Sequence, residues 1–282
     1  MTSRNSLRQR LAEGFLVAPG AYDALTARIA AQAGAEAIYM TGFGIAGSLL
    51  GVPDIGLVTA TEMADRANAL SAACRPVPLI ADGDNGHGGT ANVERLVRAY
   101  EQAGVSAIQL EDQVLPKRCG HMDGKEVVSI EEGVAKIKAA VETRSSTEFL
   151  IIARTDARSM KGLDEALRRA DAYDKAGADL LFVEAPQSVE ELQHIAEQFR
   201  GKHLVANMVE NGKTPMLGSA QLGAMGYRLI IYPISSLLAA AKTAQSVYQS
   251  LLCNDGRLSE TDHVTFGHYN EIVGLSDYLK RQ

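Results

Sequence analysis

Short apolar runs alternate with longer amphipathic stretches from one end of the chain to the other. Residues 15–18, 37–41, 77–81, 107–110, 149–153, 180–183, 203–206 and 229–232 read as eight strands. Most are continuously apolar, as expected of parallel strands covered on both faces. Between them, helical periodicity predicts helices over about 23–33, 61–73, 90–103, 129–143, 163–176, 188–199, 219–225 and 235–252. Thr90 is the expected opening of one, and Ser188 has Glu191 at capping-box spacing in another. Gly34, Gly104, Gly177 and Gly226 close helices where a left-handed residue is expected. Eight strands alternating with eight helices, without a linker, predict an α/β fold: a TIM-type (β/α)8 barrel forming one domain over 1–282. The alternative is a doubly wound open sheet. The more polar extension from about 254 to 282 carries Tyr269, Ile272, Val273, Leu275 and Tyr278 at helical spacing. It is expected to pack on the barrel or on a neighbouring subunit.

The net charge of −6, with both signs interspersed, gives no footprint for nucleic acid or an anionic membrane. Three cysteines, Cys74, Cys119 and Cys253, do not make a disulfide framework and point to a reducing compartment. Neither a leader-like apolar run nor a span of about 20 apolar residues is evident, so a cytoplasmic protein is expected.

In a barrel the chemistry collects where strands end at their carboxyl termini. There the sequence places Tyr39-Met40-Thr41-Gly42, Asp82-Gly83-Asp84, Glu111-Asp112-Gln113, Arg154-Thr155-Asp156, Glu184 and Asn207. Asp82, Asp84, Glu111 and Glu184 would converge, and gathered carboxylates repel unless protonated or neutralised. Such hard oxygen donors suit magnesium or manganese with several waters retained, although Asp-Gly-Asp also suits a plain turn. Arg154 can fork onto a substrate carboxylate, or pair with Glu184 or Asp156. Asn207 and the backbone at Thr41-Gly42 could serve the same anion; Asn207 equally suits a structural bond, and Tyr39 a core position. His87, in a glycine-rich loop, reads as exposed or as a determinant of substrate size. That loop lacks G-x-G-x-x-G spacing, and Gly212-Lys213-Thr214 lacks the first glycine of a phosphate loop. Residues 209–215 read instead as a polar loop over the site mouth.

Lys117-Arg118-Cys119-Gly120-His121-Met122 sets a thiol among three potentially cationic side chains. Such neighbours favour thiolate over thiol, and a cysteine of this kind can exchange a proton near neutral pH. The alternative is a surface loop with an incidental cysteine.

Lys117 to His121 resembles the K-[KR]-C-G-H motif of the carbon–carbon lyases in the isocitrate lyase and phosphoenolpyruvate mutase superfamily. Pro19-Gly20-Ala21-Tyr22-Asp23, Asp82-Gly83-Asp84, Glu111-Asp112-Gln113, Ala153-Arg154-Thr155-Asp156-Ala157 and Asn207-Met208-Val209-Glu210 are similar to further family segments, in family order across about 15–240. The chain length is similar to the short lyase branch. The resemblance implies a magnesium-dependent barrel (manganese as the alternative) whose last helix is exchanged within a homotetramer. Asp82 would hold the metal, with Asp84 and Glu111 reaching it through water. Tyr39, Thr41, Gly42, Asp54, Gly120, Arg154 and Asn207 would bind a small dicarboxylate, Asp54 from a second mobile segment. Lys117 to Met122 would be the gating loop. In it Cys119 would protonate the departing fragment, tuned by Lys117, Arg118 and His121, with Arg154 and Glu184 completing the catalytic group. The implied reaction splits a 2-hydroxydicarboxylate, such as 2,3-dimethylmalate or 2-methylisocitrate, into a 2-oxo acid and a carboxylate. Alternatives are hydrolysis of oxaloacetate to oxalate and acetate, phosphonate chemistry (against which Cys119 speaks), and a catalytically silent barrel acting as a binding protein. His87 stands where many members carry an aromatic residue, which leaves the substrate open.

Overall fold

The computed structural model describes residues 6–122, 124–258 and 263–281; residues 1–5, part of the stretch read above for a leader, and 259–262 of the extension lie outside the described residues. Eight strands are present: β1 (Leu16–Ala21), β2 (Ile38–Met40), β3 (Leu79–Asp82), β4 (Ala107–Glu111), β5 (Leu150–Thr155), β6 (Leu180–Val183), β7 (His203–Asn207) and β8 (Tyr227–Tyr232). They pair in chain order into a closed parallel barrel. Closure is made by β1 against β8, from Leu16↔Leu229 to Pro19↔Tyr232, which rules out the open sheet. A Cβ at Gly20 would overlap the Pro233 backbone, so this seam needs glycine there.

All eight predicted helices form, with bounds shifted by a residue or so. Gly34, Gly104, Gly177 and Gly226 do take positive φ values (92°, 80°, 101° and 118°). Thr90 is not a cap: Gly89 holds that position and makes no side-chain bond. Ser188 accepts from the Glu191 N–H, but the Glu191 carboxylate is bonded to Arg158, so the box is only half closed.

Side chains alternate between two cores, as barrel strands require. Ala18, Tyr39, Ile80, Ile152, Phe182, Val205 and Ile231 fill the interior. Met40, Ala81, Ile108, Ile151, Leu181 and Ile230 pack outward against helix residues such as Met63, Leu70, Leu96 and Ile137. A helix the periodicity did not predict, Leu7–Glu13, is fixed by a Ser6/Gln9 capping box, and its Leu7 and Leu11 join the interior core ahead of β1. A second, Gly42–Ile45, follows β2 and is capped by Thr41.

The strands run further toward the site than apolarity indicated. β3, β4 and β7 include Asp82, Glu111 and Asn207, so these polar groups stand on paired backbone. At the other extreme, the helix Ser235–Cys253 buries none of its residues within this chain. The extension forms two helices, Phe266–Val273 and Leu275–Leu279, divided at Gly274 (φ 78°). Among the described residues no helix is long and apolar enough to cross a membrane.

Candidate active site

Register builds the site. Asp82 pairs with Gln109 across β3–β4, and Glu111 pairs with Arg154 across β4–β5. Asp82 Oδ1 accepts from the Asp84 N–H (3.1 Å) and from Gln109 Nε2 (3.3 Å); Oδ2 accepts from the Gly42 N–H (3.2 Å). Gly42 sits so close that a Cβ there would lie 2.7 Å from Asp82 Oδ2. Tyr39, inside the barrel, donates to Gln109 Oε1 at 2.9 Å, which orients the amide toward Asp82.

Arg154 is buried among three carboxylates. Its Nε and Nη2 donate to Asp156 at 2.9 and 3.0 Å, Nη1 lies 3.3 Å from Glu111 Oε2, and Nε lies 3.6 Å from Glu184 Oε2. The fork expected to grip a substrate carboxylate is thus held by Asp156. Glu184 follows β6 and faces Arg154, His121 (Nε2 3.0 Å from Oε1) and Asn207, whose Nδ2 is 3.3 Å from both oxygens. The Lys213 N–H donates to His121 Nδ1 (3.0 Å), so a neutral ring carries its proton on Nε2, toward Glu184. Burial opposes ionisation of Glu184, yet Arg154 and His121 hold it down to about 2.

The Cys119 segment lies over this group. Together with Tyr39, Thr41, Asp54, Asp82, Glu111, Arg154, Glu184 and Asn207 it encloses a cavity of about 50 Å³. A Cβ on Gly120 would overlap Arg154 Nη2 and lie 2.7 Å from Glu184 Cγ, so only glycine lets the loop descend this far.

Two expectations for the loop are corrected. Cys119 is not a thiolate: burial pushes its thiol up to about 11, and the His121 N–H directed at the sulfur offsets this only in part. Nor do its neighbours tune it as expected. Lys117 Nζ turns to Asp54 (2.5 Å) and Asp84 (2.7 Å), and His121 turns to Glu184. His87 is a third correction. It does not line the cavity; it takes φ 55° and its Nε2 stands 3.7 Å from Asp84 Oδ2.

The acids converge but are not a ready set of ligands. Among the described residues no three His, Cys, Asp or Glu side chains are arranged to hold a metal ion. The cause is local: Lys117 stands against Asp84 and Arg154 against Glu111. Glu111 Oε1 is nevertheless buried without a hydrogen-bond partner, whereas Asp84 Oδ1 meets Lys117 Nζ at 2.7 Å. Burial, reinforced by Asp84, pushes Asp82 up to about 6, and burial raises Glu111 well above the usual carboxylate range.

Residues missed in the sequence complete the frame. Asp112, buried behind β4, accepts from Thr155 Oγ1 (2.7 Å), the Asp156 N–H (2.9 Å), Tyr173 Oη (2.9 Å) and Arg169 Nη1 (3.0 Å). This fixes the Asp156 backbone and so the partner of Arg154. The apolar Phe43, Val209, Ile231, Pro233 and Ile234 line the same cavity as the charged groups. Val209 belongs to the stretch 209–215, read as a loop over the mouth.

A closed parallel barrel with acids, a buried arginine and a descending sulfhydryl loop at its carboxyl end defines an enzyme for small anionic substrates. The chain matches the family described as Phosphoenolpyruvate phosphomutase over residues 7–252. It is 50% identical over 277 residues to 2,3-dimethylmalate lyase of Eubacterium barkeri, covering 98% of this chain and 95% of that protein. It is 42% identical over 267 residues to 2-methylisocitrate lyase of Aeropyrum pernix, covering 94% and 85%. Among solved structures, oxaloacetate acetylhydrolase with 3,3-difluorooxalacetate superposes with TM-score 0.94 at 36% identity, covering 98% of this chain and 94% of that one. A 2,3-dimethylmalate lyase structure gives 0.93 at 37%, covering 97% and 92%. The chain belongs to the phosphoenolpyruvate phosphomutase family, within its carbon–carbon lyases.

Proposed function

We propose that this enzyme is a magnesium-dependent lyase that cleaves a 2-alkylmalate, of the 2,3-dimethylmalate kind, into a 2-oxo acid and a carboxylate. The observation that carries the reading is the Cys119 loop roofing a cavity lined both by carboxylates and Arg154 and by the apolar Phe43, Val209, Ile231 and Pro233, where burial favours the protonated thiol. The charged groups suit the 2-oxy acid end of a malate, and the apolar residues suit its alkyl groups. The relative at 50% identity supports the same substrate class.

The donor set fits a hard divalent cation held by Asp82, with Asp84 and Glu111 acting through water: every donor is oxygen, and Glu111 Oε1 is buried and unpartnered. When bound, such an ion supplies positive charge to polarise the 2-oxy acid group. The protein supplies the remainder. Arg154 and Asn207 orient the carboxylate. Loss of the 2-hydroxyl proton lets its oxygen become a ketone as the C2–C3 bond breaks, and the bond's electron pair passes to the departing carboxylate fragment as an enolate. The Cys119 S–H then protonates that carbon, and the roofing loop keeps water away. Lys117 neutralises Asp54 and Asp84, while His121 and Glu184 hold Gly120 and Arg154 in place.

The second reading, hydrolysis of oxaloacetate, is favoured by the superposition on oxaloacetate acetylhydrolase. The deciding assay incubates the enzyme with magnesium and each diacid and follows 2-oxo acid release by a coupled dehydrogenase. Oxalate formed from oxaloacetate, with no turnover of alkylmalates, would establish the second reading instead. No turnover of any diacid would leave a binding protein.

Assembly as a homotetramer with exchanged C-terminal helices belongs to the same proposal, as does a cytoplasmic location. Support for the assembly comes from the helix Ser235–Cys253, none of whose residues is fully buried in its own chain, and from the exposed Tyr248, Leu252, Phe266 and Tyr278. The sparse free cysteines support the reducing compartment.

A further inference from the structure

We infer that Gln113 and Lys125 are positioning residues that clamp the Cys119 segment over the cavity, one from each arm of the loop that carries it. The two arms meet in a short antiparallel bridge, Gln113↔Val127, with the Val114 N–H donating to Glu126 O (2.9 Å) and the Val128 N–H to Asp112 O (2.9 Å). From this base both side chains reach up to the tip. The Gln113 amide takes both backbone groups of Arg118: Oε1 accepts from its N–H (2.9 Å) and Nε2 donates to its carbonyl (2.8 Å). Lys125 Nζ donates to the Gly120 carbonyl and to Asp156 Oδ1 (2.7 Å). The residues on either side of Cys119 are therefore each held by a different arm. Cys119 itself donates its N–H to Asp54 O (3.1 Å).

Neither clamp lines the cavity, so each acts through the loop and not on substrate. Both are anchored to the barrel. The Gln113 carbonyl accepts from Asn85 Nδ2 (3.1 Å), beside the Asp82–Asp84 turn, and Asp156 is fixed by Asp112 and Arg154. An ammonium only 1% exposed at its side chain is costly to bury, and here it bonds one loop carbonyl and one strand-end carboxylate. That pattern ties the loop to the barrel. Replacing Lys125 by methionine keeps the stem and leaves Asp156 its two bonds from Arg154, so no buried charge is stranded.

The kinetic arm of the test rests on the lyase reading; the chemical arm does not. Iodoacetamide labelling of the full chain is followed site by site by mass spectrometry, with Cys253 in the same sample as reagent control. Lys125→Met and Gln113→Ala are each expected to raise Cys119 labelling about tenfold, the value of roughly one lost buried hydrogen bond, and to lower kcat by a similar factor. Labelling of Cys119 unchanged in both variants overturns the inference, whatever happens to kcat. Failure of Lys125→Met to fold also overturns it, because the lysine would then hold the core and not the loop. If the native enzyme turns over no diacid while labelling rises as stated, the clamp stands and the lyase reading falls.

Discussion

Cys119 should behave as a thiol that gives up its proton with difficulty, and raising the pH is the perturbation that shows it. With its pKa pushed up to about 11, Cys119 would be roughly 0.1% thiolate at pH 8, against about a quarter for an ordinary cysteine near 8.5. A more basic thiolate is a better nucleophile, which returns about tenfold of that deficit. The net expectation is that the folded protein is alkylated at Cys119 roughly 20 times more slowly than the same residue in urea at pH 8, before any loss from steric cover. The rate should climb about tenfold per pH unit and level off near pH 11, with far-UV circular dichroism confirming the fold at each point. Site-resolved mass spectrometry after timed quenching gives the profile. A midpoint below pH 8 would refute the reasoning: the flanking cations would then outweigh burial, and a cysteine already ionised at working pH could not serve as the proton source.

Cys119→Ser should lower kcat by about 10²–10⁴, the ordinary range for a lost general acid, while KM stays within a few-fold; steady-state kinetics with an alkylmalate checks this, and wild-type kcat would refute the role. Lys117→Met strands Asp54 and Asp84 without their cation, and should cost about 3–5 kcal/mol of stability in urea unfolding of the magnesium-free protein; a loss below about 1 kcal/mol would show that the two acids are compensated otherwise. Chelation with excess EDTA should abolish turnover and weaken diacid binding measured by calorimetry, both restored by magnesium; equal binding with and without the ion would remove the metal from the scheme.

The barrel was legible because eight apolar runs alternate with eight amphipathic stretches, although only the β1–β8 pairing excludes an open sheet of the same elements. The runs also pointed to the site, since Asp82, Glu111 and Arg154 stand where each loses its apolar character, although the ladder continues through them. What could not be read was direction and partnership. Asp112 is adjacent to Glu111, yet it points away from the cavity to Arg169, 57 residues on. Lys117 and His121 flank Cys119 in sequence but turn to acids distant in the chain, Asp54, Asp84 and Glu184, so counting nearby cations gave the wrong sign for its proton affinity. Lys125 carries no motif of its own; its meaning lies in a carbonyl five residues back and a carboxylate just past the end of β5. The helix Leu7–Glu13 is too short to register as a period, though Ser6 and Gln9 had the capping-box spacing.

Charge balance ties these observations together. The network around the cavity contains six carboxylates, Asp54, Asp82, Asp84, Asp156, Glu111 and Glu184, and three fixed cations, Lys117, Lys125 and Arg154. Each cation is shared between carboxylates or between a carboxylate and the loop backbone, so a guest carboxylate at Arg154 would compete with Asp156, Glu111 and Glu184. The strain falls unevenly: Glu184 is held ionised by Arg154 and His121, whereas Asp82 and Glu111 resist ionisation because burial is not matched by a partner of their own. A dicarboxylate entering such a site alone would add two negative charges to an excess already present. A divalent cation at the Asp82 end, as proposed, would remove that objection, lowering the proton affinity of Asp82 and Glu111 and making room for the dianion at once. Burial, with the negative charge of Asp54 and Glu184 added to it, likewise disfavours a thiolate at Cys119, and in the proposed reaction a held proton is what the departing enolate would require.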